Sequence, residues 1–273
     1  MFVNSAPKVA IAANSWTVEA LHVATLELDQ DSVPVFSYLL RDGTRFILVD
    51  IGTPEPATVA RRWQTRCEYG GAEPLIKQLG ARELAPDDID VILLSHLHFD
   101  HAGNLDLFPK ANVVVHKQEV VHAIDPVPSQ RGAYTRQITC GLLSRKQPHQ
   151  LTLLRDRITH IAPGLCAVLI PGHTPGLLGY VATTARGKVG LPSDAGERYE
   201  SWCEPGSSSG EHVPVLTAPR IRSEGERETL TAMAEFYAFS DIIVPSHDWR
   251  IPRQLPLEWR HSPFSSASGA EDA

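Results

Sequence analysis

No run of apolar residues in this sequence approaches the roughly 20 needed to cross a bilayer as a helix. The opening stretch, MFVNSAPKVAIAANSW, carries an apolar patch but lacks the charged leader and long apolar centre of a secretory signal. A cytoplasmic location with no membrane association is therefore expected. Positive charge is also short. Lysine and arginine together number 25 against 32 aspartates and glutamates, a formal net charge of -7. An acidic surface opposes phosphate backbones, so a nucleic acid partner is not expected. Cysteine is scarce, and Cys67, Cys140, Cys166 and Cys203 form no CxxC pair. Their spacing gives neither a disulfide framework nor a zinc ribbon, and buried free thiols are expected.

What remains is an ordinary globular composition, 42% hydrophobic and 21% charged over 273 residues, enough for a sizeable core. Residues 1–261 read as a single domain, and 262–273, SPFSSASGAEDA, as a disordered tail. Strands are expected at 33–40, 45–50, 91–94, 112–116, 165–171, 178–184 and 187–194, from β-branched and aromatic runs bounded by turn residues. A further short strand with a terminal loop is expected at 241–248. Helices are expected after Ile51-Gly52-Thr53, at 72–80, at 117–124 and at 224–239. Residues 125–150 read as part helix and part loop, and 201–222, rich in Gly, Ser and Pro, as a long loop that can border a pocket. Hairpin-like strand pairs interspersed with helices predict sheets covered by helices, not a doubly wound parallel sheet.

The segment Ser95-His96-Leu97-His98-Phe99-Asp100-His101-Ala102-Gly103-Asn104 places four potential metal ligands within six residues. One helix face cannot gather them at about 100° per residue. In an extended chain His96, His98 and Asp100 alternate onto one side, and a turn at Ala102-Gly103 can bring His101 round. His173 in Pro171-Gly172-His173-Thr174-Pro175-Gly176, Asp194 in Pro192-Ser193-Asp194-Ala195 and His247 in Pro245-Ser246-His247-Asp248 each follow a predicted strand. Imidazole and carboxylate suit zinc and related first-row metals. Seven ligands exceed the need of one ion, and a carboxylate shared between two ions resolves the excess.

These four elements, HLHFDH, PGHTPG, SDA and PSHD in this order, resemble the metallo-β-lactamase superfamily and in detail its N-acyl-homoserine lactonase-like branch. The resemblance spans about residues 33 to 250, and Leu48–Gly52 is similar to the family's early strand and turn. It implies an αββα sandwich: an α/β fold of two mixed β-sheets flanked by helices, with the metals at one edge. It further implies two divalent ions, zinc by default. His96, His98 and His173 would hold the first, Asp100, His101 and His247 the second, and Asp194 would bridge them. Asp50 would be a buried support. A metal-bridging hydroxide would open a lactone or cleave a carboxylic ester, with Asp100 as proton shuttle. Quorum quenching is the activity such a lactonase implies, and a homodimer is expected by analogy with the family.

The sequence departs from that pattern at identifiable places. Leu177, Leu178 and Gly179 follow PGHTPG where lactonases carry a polar residue, often His. Ser246 stands where relatives commonly have Gly. The tyrosine that lactonases place three residues past the bridging aspartate is Glu197 here. The nearest tyrosine, Tyr199, is a candidate carbonyl donor or a packing residue. Phe99 faces the pocket or packs in the core, and Trp202 lines a substrate surface or packs. His116 and His122 are expected at surface or core positions, not at the metals. A thioesterase or a phosphotriesterase-like hydrolase of the same superfamily is the alternative activity. A metal-binding module without catalysis is the alternative of another class.

Overall fold

The computed structural model describes residues 15–28, 31–145, 150–202 and 216–251. The expected tail at 262–273, Cys203 and most of the expected loop at 201–222 lie outside the described residues. In chain order the elements are β1 (Thr17–Leu28), β2 (Asp31–Arg41), β3 (Phe46–Val49), α1 (Pro56–Trp63), β4 (Arg66–Glu68), α2 (Ala72–Gly80), β5 (Val91–Leu93), β6 (Asn112–His116), α3 (Lys117–Ile124) and α4 (Arg136–Leu143). There follow β7 (Leu151–Leu154), β8 (Ile158–Ala162), β9 (Leu165–Leu169), β10 (Leu178–Thr184), β11 (Gly187–Leu191), α5 (Glu226–Ala238) and β12 (Ile242–Ile243).

The strands form two mixed sheets, ordered β4-β1-β2-β3-β5-β6-β7 and β12-β11-β10-β9-β8. In the first, β1, β2 and β3 pair antiparallel, while β3, β5, β6 and β7 run parallel. Side chains alternate across each strand, and here both faces are buried. Phe36, Tyr38, Leu40, Ile47, Val49, Leu93 and Val114 face the second sheet, meeting Leu178, Tyr180, Ala182 and Leu191. Leu39, Leu48, Ile92, Val113 and Val115 face the opposite way, against Val59 of α1, Leu75 and Leu79 of α2, Val120 of α3, and Ile138 and Leu142 of α4. The outer face of the second sheet, including Val168 and Val181, packs on Ala232, Met233 and Phe236 of α5. Helix, sheet, sheet and helix thus stack as the αββα arrangement expected.

Several expectations shift on inspection. β1 is a 12-residue strand outside the expected set, and the strand expected over 241–248 is only Ile242–Ile243. Pro245 cannot donate to a ladder, and the chain instead turns so that His247 N–H donates to the Glu197 carbonyl at 2.8 Å. The ambiguous stretch resolves into α4, capped by Thr135, whose hydroxyl accepts from Ile138 N–H at 3.1 Å. Of the thiols, Cys67 is buried and Cys166 half-buried, but Cys140 is exposed, correcting the expectation of uniformly buried cysteines. On α4 the inward positions are Ile138, Thr139 and Leu142, which leaves Cys140 outward. No helix among the described residues is long and apolar enough to cross a membrane.

Two tyrosines tie the sheets together where the ligand loops begin. Tyr180 of the second sheet donates to the Leu94 carbonyl at 2.9 Å, one residue before Ser95. Tyr38 of the first donates to the Pro245 carbonyl at 2.6 Å, two residues before His247. Leu178 N–H also donates to the Ser95 carbonyl at 2.9 Å. The edge carrying the ligand loops is therefore cross-braced by backbone acceptors drawn from both layers.

Candidate metal centre

The first motif leaves β5 extended, as expected for His96 and His98, and then turns earlier than the sequence suggests. The His98 carbonyl accepts from His101 N–H at 3.2 Å and Ala102 N–H at 3.1 Å. Asp100 is thereby moved off the His96 side and joins His101 instead. Gly103 closes the turn with its N–H on the Gly52 carbonyl at 2.8 Å. A Cβ there would lie 2.3 Å from the backbone of Thr53 and Pro54, so only glycine admits this approach.

The seven predicted ligands converge. His96, His98 and His173 form one cluster whose ligand atoms lie within 4.8 Å of one another, and Asp100, His101 and His247 form another. Asp194 lies between them. Its Oδ2 is 3.5 Å from His173 Nε2 and 3.9 Å from His96 Nε2. Its Oδ1 is 3.3 Å from both His101 Nε2 and His247 Nε2. Asp100 Oδ2 is 3.7 Å from the same two nitrogens. His98 Nδ1 stands 3.0 Å from His173 Nε2.

Four of the five rings are aimed by a partner behind them. His173 Nδ1 faces the Ile221 carbonyl at 2.9 Å and His247 Nδ1 the Pro34 carbonyl at 2.8 Å. A carbonyl can only accept, so both rings carry a proton on Nδ1 and turn Nε2 towards the centre. His101 Nδ1 faces Asp50 Oδ2 at 2.8 Å. Asp50, held at a φ of 55°, also accepts from Ser95 N–H at 2.8 Å and Ser95 Oγ at 2.7 Å. Ser95 Oγ in turn lies 3.0 Å from His96 Nδ1 and accepts from Ser193 at 2.8 Å. Ser246 donates to Asp194 Oδ1 at 2.8 Å, so the serine that departs from the family pattern fixes the Asp194 carboxylate.

Protonation follows burial and charge. Burial pushes His96 and His98 well below the usual histidine value, and neighbouring imidazoles push the same way. Burial also disfavours charge on His101 and His247, but the Asp194 carboxylate outweighs it. His101 is held well above its ordinary value and His247 rises to about 9. Burial alone would raise the Asp194 carboxyl, yet those same histidines hold it well below the carboxylate range. The centre therefore draws positive charge inward. Nε2 of His96 and of His101 are buried and make no hydrogen bond among the described residues. Divalent cations supply that charge to neutral imidazoles and ionised carboxylates, the ligand forms, so the residues fit metal ions.

Sequence reasoning missed Glu119. It is fully buried on α3 and accepts from Leu97 N–H at 2.9 Å, Tyr134 Oη at 2.8 Å and Thr174 Oγ1 at 2.6 Å. It thus joins the loop of His96 and His98 to the loop of His173. Gln130 adds a second link, donating to the His173 carbonyl while its Oε1 meets His122 Nε2 at 2.7 Å. His116 caps α3, accepting from Gln118 N–H at 3.3 Å, and like His122 stays outside the two clusters. Glu119→Ala leaves three buried donors unsatisfied and is expected to lower stability by roughly 2–4 kcal/mol. Urea unfolding measures this, and a change under about 0.5 kcal/mol would show that Glu119 braces nothing.

The remaining candidates sit around the centre. Phe99 is half-buried and stacks on Trp63 with ring centroids 3.9 Å apart. Tyr199 is buried behind the Asp194 turn, its N–H on Asp248 Oδ2 at 3.1 Å and the Arg250 guanidinium 4.9 Å from its ring centroid. Trp202 is fully buried, packs against Phe236 and donates to the Gly196 carbonyl at 3.0 Å. Its reach into the site is through the turn it supports.

A family model described as the metallo-beta-lactamase superfamily matches residues 31–247. An N-acyl homoserine lactonase of Rhizobium rhizogenes is 29% identical over 217 residues, covering 74% of this chain and 78% of the relative. An N-acyl homoserine lactonase of Bacillus thuringiensis is 29% identical over 183 residues, covering 63% and 67%. Among solved structures, an N-acyl homoserine lactone hydrolase with N-hexanoyl-L-homoserine bound at its catalytic metal centre superposes with a TM-score of 0.63 at 22% identity, covering 87% of this chain and 94% of the other. A probable metal-dependent hydrolase from Staphylococcus aureus reaches 0.66 at 17% identity, covering 86% and 90%. With its histidine and carboxylate clusters at the braced edge of an αββα sandwich, the chain belongs to the metallo-beta-lactamase superfamily and is a metal-dependent hydrolase.

Proposed function

We propose that this chain holds two divalent cations, zinc by default, and opens a lactone or cleaves a carboxylic ester. The observation that carries the reading is the two-sided Asp194, one oxygen turned to His96 and His173 and the other to His101 and His247. His96, His98 and His173 would hold one cation, and Asp100, His101 and His247 the other. When bound, such ions bring the pKa of a water towards 7 and polarise a carbonyl oxygen. The protein's own residues do the rest. Asp194 and Ser246 keep the two clusters in register. Asp100, whose side chain is 15% exposed against 7% for Asp194, is the carboxylate nearer solvent. It is placed to take a proton and return it to a leaving alkoxide. Phe99 and Trp63 offer an aromatic wall for an acyl group. Because the relatives are N-acyl homoserine lactonases, an acyl-homoserine lactone is the first substrate to try.

The test is a hydrolysis panel of acyl-homoserine lactones, aryl esters, aromatic lactones and thioesters, with metal analysis of the same sample. Turnover of a lactone or ester, lost with a chelator and restored by a divalent metal, is expected. Chelation should also lower the melting temperature, since an ion bound only by the folded state at 100 times its Kd contributes about 2.7 kcal/mol. Two equivalents of metal with no turnover on any member would make this a non-catalytic metal-binding module. Turnover confined to thioesters would favour the thioesterase alternative.

A further inference from the structure

Beyond the seven predicted ligands, one carboxylate reaches the centre. Glu197 stands where the lactonase pattern has a tyrosine. Its ligand oxygen, a ring nitrogen of His173 and a carboxylate oxygen of Asp194 all lie within 4.8 Å of one another. The side chain is half-buried, and among the described residues no hydrogen bond or ion pair engages its carboxylate. Its position is fixed from the backbone, because the Glu197 carbonyl accepts from His247 N–H at 2.8 Å. The residue is thus anchored at one end by the last ligand loop, while its acid group is turned to the side of the centre where His173 lies. Two carboxylates this close repel, and partial burial adds to the cost of keeping both ionised.

A cation relieves both costs. The geometry points to Glu197 as an additional metal-ligating residue, adding an oxygen donor to the cation held by His96, His98 and His173. With metal–ligand distances of about 2.0–2.2 Å, donors lying within 4.8 Å of one another are near the spacing that one ion spans. The inference rests on the two-cation reading and deepens it. Carboxylate oxygen favours harder ions such as Mn²⁺ over Zn²⁺ relative to an all-imidazole set. Glu197 therefore tilts this cluster towards an oxygen-preferring metal.

Metal-free protein is prepared with a chelator, and Mn²⁺ and Zn²⁺ are titrated separately against a chromophoric competitor. Wild type, Glu197→Gln and Glu197→Asp are compared, and no turnover is needed. Glu197→Gln is expected to weaken the first-cluster Mn²⁺ affinity tenfold or more and the Zn²⁺ affinity by a smaller factor, with the metal-free melting temperature raised or unchanged. Glu197→Asp keeps the charge but shortens the reach, so it is expected to weaken Mn²⁺ binding as well, and it carries the measurement should the glutamine variant not fold. Unchanged affinities for both ions would overturn the ligand role while leaving the two-cation reading in place. An equal loss for both would support ligation and overturn the tilt in metal preference. A wild-type protein that binds neither ion would overturn both readings.

Discussion

Asp194→Ala is expected to lower bound metal from two equivalents to one or fewer and to cut kcat/KM by at least about 10³-fold. The size of the effect follows from position. Asp194 is the carboxylate that meets both clusters, through Oδ2 on one side and Oδ1 on the other. Its removal takes one donor from each site. It also removes the chief negative charge that holds His101 and His247 up, and with it the anionic compensation for a cation held between the clusters. Ser246 loses its acceptor at the same time. Asp194→Asn separates charge from shape, since one amide oxygen remains but only a single face can ligate. Metal analysis after dialysis, with circular dichroism as a fold check, decides the matter. Two tightly held equivalents in Asp194→Ala would remove the bridging role and with it the central argument for a dinuclear site.

The candidate ligands were legible because their chemistry is local. Four donors within six residues, each of a metal-binding type, cannot serve one helix face, and the other three follow strands whose β-branched runs mark them. The layer order came from the resemblance, since the strand and helix runs by themselves gave only sheets covered by helices. What escaped depends on partners distant in the chain. β1 contains Glu19, His22 and Thr25 among helix-favouring Ala and Leu, which hides its period. Glu19 is buried at 2% because Arg41 and Arg82 neutralise it, Arg82 at 2.7 Å. Nothing in EALHVATLEL announces those arginines. Glu119 likewise looks like the polar face of a short helix until Leu97, Tyr134 and Thr174 converge on it. Glu197 was visible as a departure from a pattern, but its approach to His173 is set by a turn that Trp202 and His247 hold from either side. The α4 cap is the one miss for which a signal stood in the sequence, Thr135 three residues before Ile138.

Asp100→Asn is expected to leave the fold intact and lower kcat by about 10²–10⁴-fold on an alkyl lactone. Two causes can produce that loss, and the geometry separates them. Asp100 Oδ2 sits 3.7 Å from His101 Nε2 and His247 Nε2, so the variant weakens the second cluster. It also removes the carboxylate placed to carry a proton to the leaving alkoxide. If lost metal is the whole cause, saturating divalent ion restores the rate for every substrate alike. If proton transfer contributes, a deficit persists at saturating metal and depends on the leaving group. An alkoxide of high basicity needs the proton in the transition state, whereas an activated phenolate departs without it. The residual deficit should therefore be large for an alkyl lactone and small for a nitrophenyl ester of matched acyl chain. A residual deficit equal for both would confine Asp100 to metal ligation, and wild-type rates on both would exclude it from either task.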